Sequence, residues 1–252
     1  KNTLSPPKPT PPPGAMTVRA SSPPVRQKQS DTDPQEEYCT AIDEHRFSRE
    51  ETLIIFDWDD TVMPSSWVEG LRDGDNLENE TFSEQHKEQL EELSRLASET
   101  LALASHLGTV LLVTNAQHGW VELSCQRYMP KLLPALASVR VLSARTQFET
   151  EQVSSPFEWK HRAFLCEIQR VFGDQHRRRN ILSFGDSGHE REALIKSTAK
   201  MDKTRTKSVK FLDRPGVHEL GKQHAVMAKC LRQIVHHDGN LDLCLRVRSD
   251  AA

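Results

Sequence analysis

The chain has no long hydrophobic run, and this absence limits what it can be. No stretch approaches the ~20 apolar residues that a helix needs to cross a bilayer, and the first residues lack the apolar segment of a secretory signal. Hydrophobic residues make up 36% of the 252 residues, which is low for a chain that folds along its whole length. We therefore expect no membrane span, an intracellular location in cytoplasm or nucleus, and one segment that stays unfolded.

Paired cysteines and a strong excess of charge are also missing. The five cysteines include no C-x-x-C pair and are odd in number, which favours a reducing compartment over a disulfide framework. The eleven histidines show no H-E-x-x-H spacing, so no zinc site is predicted. A net charge of -3 gives no specific nucleic-acid or membrane signal. The basic run from Lys196 to Lys210 favours a solvated loop over a binding surface.

Proline is concentrated at the amino end of the chain. Residues 5–13 read S-P-P-K-P-T-P-P-P, a composition typical of polyproline II, which makes no internal hydrogen bonds. We predict that residues 1–48 form a disordered Pro-rich tail, followed by a folded domain at 49–240 and a C-terminal tail at 241–252. An SH3-like domain is a partner class for the Pro-rich tail, although a solvated linker fits the composition better.

From residue 52 onwards, short apolar runs alternate with helical stretches. This pattern is typical of an α/β domain with a parallel sheet. Five runs are predicted as strands: 53–56, 110–113, 139–142, 181–184 and 209–212. A charge interrupts the third and fifth runs, which edge strands tolerate, whereas strands covered on both faces are continuously apolar. We therefore predict a Rossmann-like three-layer sandwich whose parallel sheet has the order 5-4-1-2-3.

Polar side chains follow three of the predicted central strands. Asp57 and Asp59 follow the first strand, Thr114 ends the second, and Asp186 and Glu190 follow the fourth. Ligands of open α/β sheets bind beyond the carboxyl ends of the strands. Grouped carboxylates repel one another and resist desolvation, and a bound cation would relieve both costs. A solvated acidic turn and ordinary helix caps are the alternative interpretation.

In chain order, these residues resemble the motifs of the haloacid-dehalogenase (HAD) superfamily. The first motif, D-x-D-x-T/V, is matched by Asp57, Asp59 and Thr61. Thr114 matches the second motif, and Gly185, Asp186 and Glu190 match the fourth, G-D-x-x-x-[DE]. The third motif is a lysine ahead of the fourth strand, for which Lys160 is the best candidate. Lys196 and Lys200 are alternatives, but they follow the fourth motif.

The resemblance implies a magnesium-dependent phosphatase that hydrolyses phosphomonoesters. Asp57 would be the nucleophile that forms an aspartyl-phosphate, and Asp59 the general acid and base. Thr114 and Lys160 would hold the phosphoryl oxygens. The resemblance further implies an Mg²⁺ site made by the Asp57 carboxylate, the Asp59 backbone carbonyl, Asp186 and, directly or through a water, Glu190.

The intervals between the motifs bear on the substrate. Residues 62–108 and 115–159 leave no room for a large cap domain, and in this family a missing cap goes with open sites that accept bulky or macromolecular phosphoesters. The partner we expect is a phosphorylated substrate, either a small molecule or a macromolecule. Trp58, Trp67 and the loop 64–66 are candidates for the rim of the open site. A catalytically inactive HAD-like binding or scaffold protein is the alternative function.

Overall fold

The computed structural model describes residues 47–71, 82–173 and 177–246. Of the predicted Pro-rich tail, residues 1–46 lie outside the described ranges and only residues 47 and 48 lie inside them. The predicted disorder and the SH3-like partner therefore concern residues that the structure does not describe. Within those ranges, no helix combines the length and the apolar character that a membrane span requires.

Strands and helices alternate along the described chain. In order, the elements are β1 (Thr52–Phe56), α1 (Ser65–Gly70), α2 (Glu84–Leu107), β2 (Thr109–Thr114), α3 (Trp120–Tyr128), a 3-10 turn (Pro130–Leu132), α4 (Leu133–Leu136), β3 (Arg140–Ser143), α5 (Ala144–Phe148), α6 (Pro156–Phe172), β4 (Arg179–Gly185), α7 (Gly188–Thr198), β5 (Thr204–Lys210), α8 (Val217–His236) and β6 (Leu241–Cys244). The fold is therefore of the α/β class, as predicted.

Six strands, all parallel, form one sheet in the order β3-β2-β1-β4-β5-β6. This differs from the predicted order 5-4-1-2-3, which ends at the fifth strand. The sequence analysis missed β6, which pairs alongside β5 from Leu241 to Cys244 and lies in the segment assigned to a C-terminal tail. Because β6 is short and alternates half-buried leucines with exposed polar residues, it lacks the continuous apolar run by which the other strands were identified.

The fifth predicted strand also had the wrong bounds. β5 begins at Thr204, five residues before the predicted start, and ends at Lys210. The basic run from Lys196 to Lys210 therefore comprises the end of α7, an exposed turn at 199–203 that holds Lys200 and Lys203, and the strand β5, so the predicted solvated loop covers only the turn. Lys207 is fully buried, and its Nζ donates to the carbonyl oxygen of Val235 near the end of α8 at 2.7 Å. The side-chain amide of Asn180 donates to the same oxygen at 3.0 Å, so both residues satisfy a carbonyl in the last turn of the helix.

Helices cover both faces of the sheet because alternate strand residues point to opposite sides. One face packs against α2, α3 and α8, and its sheet residues include Ile54, Phe56, Leu112, Leu182 and Phe184. The other face packs against α6 and α7, and its sheet residues are Leu53, Ile55, Leu111, Val113 and Ile181. This arrangement places the N-terminal ends of α6 and α7 beside the carboxyl ends of the central strands.

Candidate active site

A tight loop carries the chain away from the carboxyl end of β1. The backbone N–H of Asp57 donates to Phe184 O on β4 at 2.9 Å, which fixes the first residue of the loop to the sheet. The carbonyl oxygen of Trp58 then accepts from three successive backbone N–H groups, those of residues 61–63, at 2.9–3.3 Å. Asp60 occupies the left-handed region with φ 53°, a conformation that non-glycine residues rarely adopt and that often marks functional sites.

Lys160 reaches this loop from α6. Its side chain is 1% exposed, and its Nζ lies 2.8 Å from Asp57 Oδ2. The same ammonium also contacts Glu190 Oε1 on α7. This buried ammonium therefore bridges carboxylates that follow two different strands, which offsets the cost of burying it.

Glu190 is fixed by its own helix as well as by Lys160. Its Oε2 accepts hydrogen bonds from the backbone N–H and the hydroxyl of Ser187, at 3.1 and 2.5 Å, and this forms a capping box at the start of α7. A Cβ on Gly185 would lie 2.3–2.6 Å from side-chain atoms of Glu190. Glycine at the end of β4 thus provides the space that this carboxylate occupies.

Burial and the neighbouring charges shift the pKa values of the three carboxylates in different directions. Burial alone would raise the pKa of Glu190, but the charge and hydrogen bond of Lys160 lower it to about 2. Burial raises the pKa of Asp57 well above its ordinary value, against the lowering effect of Lys160. Burial, assisted by the charges of Glu190 and Asp60, raises the pKa of Asp186 to about 7. The cluster therefore holds more negative charge than one lysine neutralises.

Three of these carboxylates are placed to share a cation. Oxygens of Asp57, Asp186 and Glu190 lie within 4.8 Å of one another. Asp57 Oδ1 is buried and has no hydrogen-bond partner, which is costly unless a ligand completes its environment. Oxygen donors of this kind suit Mg²⁺ or Ca²⁺.

The Asp59 side chain is held apart from that group. Its Oδ1 accepts from the Ser65 hydroxyl at 2.5 Å and from the Trp120 indole N–H at 2.9 Å, and its Oδ2 accepts from Thr114 Oγ1 at 3.1 Å. The Thr114 Oγ1 also accepts from the backbone N–H of Ala116 at 2.9 Å. Asp59 and Thr114, from adjacent strand ends, are therefore in direct contact, and three donors from separate elements orient the Asp59 carboxylate.

The structure separates the three lysines proposed for the third motif. Lys160 lies in the cluster, whereas the side chain of Lys196 is 54% exposed, stacks on Phe157 and lies 3.8 Å from Glu158. Lys200 follows α7 and lines a surface cavity with residues such as Lys203 that precede β5, at the amino edge of the sheet. Of the three, only Lys160 contacts Asp57.

One rim assignment needs revision, and two contacts were missed. Trp58 is fully buried and donates to Ser124 Oγ at 2.9 Å, so it packs in the core and does not form a rim. Ser65 and Trp120 contact Asp59, yet the sequence analysis assigned neither contact. Trp120 follows the end of β2 by six residues, so its position after a central strand could have identified it as a site residue. The Ser65 contact could not be predicted in this way, because it depends on how the loop from β1 folds back.

Comparison with known proteins identifies no relative of this chain. No protein-family model matches the sequence, and no curated protein or solved structure matches it either.

Proposed function

We propose that the protein is a magnesium-dependent phosphomonoester hydrolase of the HAD type, with Asp57 as its nucleophile. The observation that carries the proposal is the convergence of Asp57, Asp186 and Glu190 around the buried ammonium of Lys160 at the carboxyl ends of β1 and β4. Three ionised carboxylates and one ammonium leave a net charge of -2, which one divalent cation would neutralise. A structural ion pair alone would need no third carboxylate.

The residues present fit Mg²⁺. Asp57 and Asp186 would hold the ion through carboxylate oxygens, which are ligands that Mg²⁺ prefers. Both oxygens of Glu190 already accept hydrogen bonds, from Lys160 and from Ser187, so Glu190 would act by orienting Lys160 or a water. The Asp59 backbone carbonyl completes the set that the resemblance implies. When bound, the ion would neutralise charge on the phosphoryl group.

The chain's own residues supply the rest of the chemistry. One carboxylate oxygen of Asp57 would attack phosphorus as the bond to the leaving alcohol breaks, giving an aspartyl-phosphate, and the other would remain available to the ion. Lys160 and Thr114 would donate to the phosphoryl oxygens. Asp59 would give its proton to the leaving oxygen, and would then take a proton from the water that releases phosphate and restores Asp57.

A contrast between two amide substitutions tests the mechanism. Asp57→Asn removes the nucleophile, so turnover and the phosphoenzyme should both disappear. Asp59→Asn keeps the nucleophile but cannot transfer a proton, which is worth roughly 10²- to 10⁴-fold. This variant should still accept phosphate from p-nitrophenyl phosphate, whose leaving group needs little protonation, and its phosphoenzyme should persist. Acid quenching followed by mass spectrometry of the peptide that contains residue 57 measures both outcomes.

The same experiment distinguishes the alternative function. An inactive HAD-like binding or scaffold protein would give no magnesium-dependent hydrolysis and no phosphoenzyme in the wild type. Phosphate recovered on Ser187 or a cysteine, or robust turnover by Asp57→Asn, would contradict the proposed nucleophile.

The segment after β1 bears on the size of the substrate. Among the described residues up to 71, the six-residue α1 is the sole helix or strand after β1, which supports an open site for a small or macromolecular phosphorylated substrate.

A further inference from the structure

A cavity of about 330 Å³ lies beside Asp59, between α1 and α3. Residues of the loop after β1 form its floor, and Trp120 and Tyr128 contribute aromatic side chains from α3. The Asp59 carboxylate, which would protonate the leaving alcohol, is part of the lining. A group bonded to the leaving oxygen would therefore enter this cavity. Its volume is at the lower end for ligand pockets, which suits a small group.

The charge of the lining has one sign. Asp59, Asp60 and Glu69 contribute carboxylates, and none of the described residues that line the cavity is lysine, arginine or histidine. Arg127 stacks against the Tyr128 ring at 5.6 Å but is not part of the lining. A negatively charged leaving group would be repelled here. A cation would gain from the carboxylates of Asp60 and Glu69, which stay charged while Asp59 carries the proton for the leaving oxygen, and from the Trp120 ring.

We infer that this cavity binds the alcohol part of the substrate and selects a small cationic alcohol, so that the preferred substrate is an amino-alcohol phosphomonoester. The selection of a cation follows from the lining alone. The assignment of the cavity to the leaving group rests on the proposed phosphatase function, because it depends on Asp59 as the general acid. Glu69 is the specificity residue, since it is exposed on α1 and lines the cavity, whereas Asp60 is engaged by Ser66.

Binding can be tested without turnover. Choline and its neutral isostere 3,3-dimethylbutan-1-ol differ only in the charged nitrogen, and each is titrated into the full chain while the indole N–H signal of Trp120 is followed by NMR. We expect choline to bind about fivefold or more tightly than the isostere. Glu69→Gln should reduce that ratio. Glu122→Gln removes an exposed carboxylate of α3 that does not line the cavity, and it should preserve the ratio.

Turnover separates this inference from the proposed function. We expect kcat/KM with magnesium to fall in the order phosphocholine, glycerol 3-phosphate, 3-phosphoglycerate. Hydrolysis of p-nitrophenyl phosphate with no such order, or equal binding of choline and its isostere, would overturn the cation-selective cavity and leave the phosphatase proposal standing. A choline-specific shift of the Trp120 signal with no hydrolysis of any ester would support the cation site and overturn the phosphatase.

Discussion

Lys160 is the residue on which the candidate site most depends. A buried ammonium is tolerated only where anions and hydrogen bonds replace its lost hydration, and here Asp57 and Glu190 both contact it. Burial alone would lower the pKa of Lys160, but the charges of these two carboxylates raise it. The lysine therefore stays charged over the whole physiological range and is held in one position, as a donor to a phosphoryl group must be.

Replacing Lys160 by Met should lower turnover on p-nitrophenyl phosphate by on the order of 10²-fold or more, because one preorganised donor is worth that much. Lys196→Met is the matched control, since Lys196 is also a helical lysine near a glutamate but is largely exposed, and it should retain nearly full activity. Rates are normalised to the folded fraction measured by circular dichroism. Normal turnover in Lys160→Met with loss in Lys196→Met would show that Lys196 serves as the third motif.

At the scale of elements, His224 joins the loop after β1 to two helices. From α8, its Nε2 lies 3.0 Å from Thr61 O and its Nδ1 lies 3.1 Å from the hydroxyl of Thr100 on α2. The imidazole is fully buried, and burial lowers its pKa to about 4. The neutral ring can donate through Nε2–H to the Thr61 carbonyl, which ties the loop after β1 to the packed pair α2 and α8.

Stability should therefore fall in acid through His224. Because the imidazole titrates near 6.5 when unfolded and near 4 when folded, the unfolded chain binds more protons between these values. The stability present above pH 6.5 is lost as the pH falls towards 4. Between pH 7.5 and 5.0 we expect His224 to account for a decrease of about 2 kcal/mol in the free energy of unfolding, measured by urea denaturation.

Two variants isolate this contribution. His224→Gln lacks the titrating ring, so its unfolding free energy should change less between the two pH values than that of the wild type, whatever its stability at pH 7.5. His218→Gln removes an exposed histidine of the same helix and should keep the wild-type pH dependence. The assignment fails if His224→Gln loses as much stability in acid as the wild type does.

At the scale of the whole molecule, the sheet assembles the site from four distant parts of the chain. Asp57 follows β1, Thr114 ends β2, Asp186 and Glu190 follow β4, and Lys160 comes from a helix on one face. Parallel strands place all their carboxyl ends at one edge, and the sheet order puts β1 between β2 and β4. The carboxylates are close enough to repel one another only when the chain is folded. A cation that relieves this repulsion should therefore bind the folded state and stabilise it.

Magnesium should accordingly raise the melting temperature. A ligand that binds only the folded state stabilises it by about 2.7 kcal/mol at a concentration 100 times its dissociation constant. Asp186→Asn removes one proposed ligand and should reduce the magnesium-dependent shift in a thermal scan. Asp202→Asn is the control, because this exposed carboxylate precedes β5 at the opposite edge of the sheet, and it should keep the full shift. Equal shifts in both variants would remove Asp186 from the cation site.

The sequence by itself determined the fold class and the neighbours of the central strands. Continuous apolar runs at β1, β2 and β4 can be buried only between two helical layers, and the polar residues that end them must meet at one edge. The positions of Asp57, Thr114 and Asp186 relative to the sheet were therefore predictable from local patterns.

Only the tertiary structure decided the rest, because those features depend on contacts between residues distant in sequence. β6, which is half polar, forms because it pairs with β5. Its own sequence pattern is too weak to predict a strand. The choice of Lys160 over Lys196 depends on how two helices pack, because α6 buries Lys160 against Asp57 whereas α7 leaves Lys196 largely exposed. The contact between Trp120 and Asp59 joins residues 61 positions apart, and no periodicity encodes such a distance, since it is set by how the helices pack on the sheet.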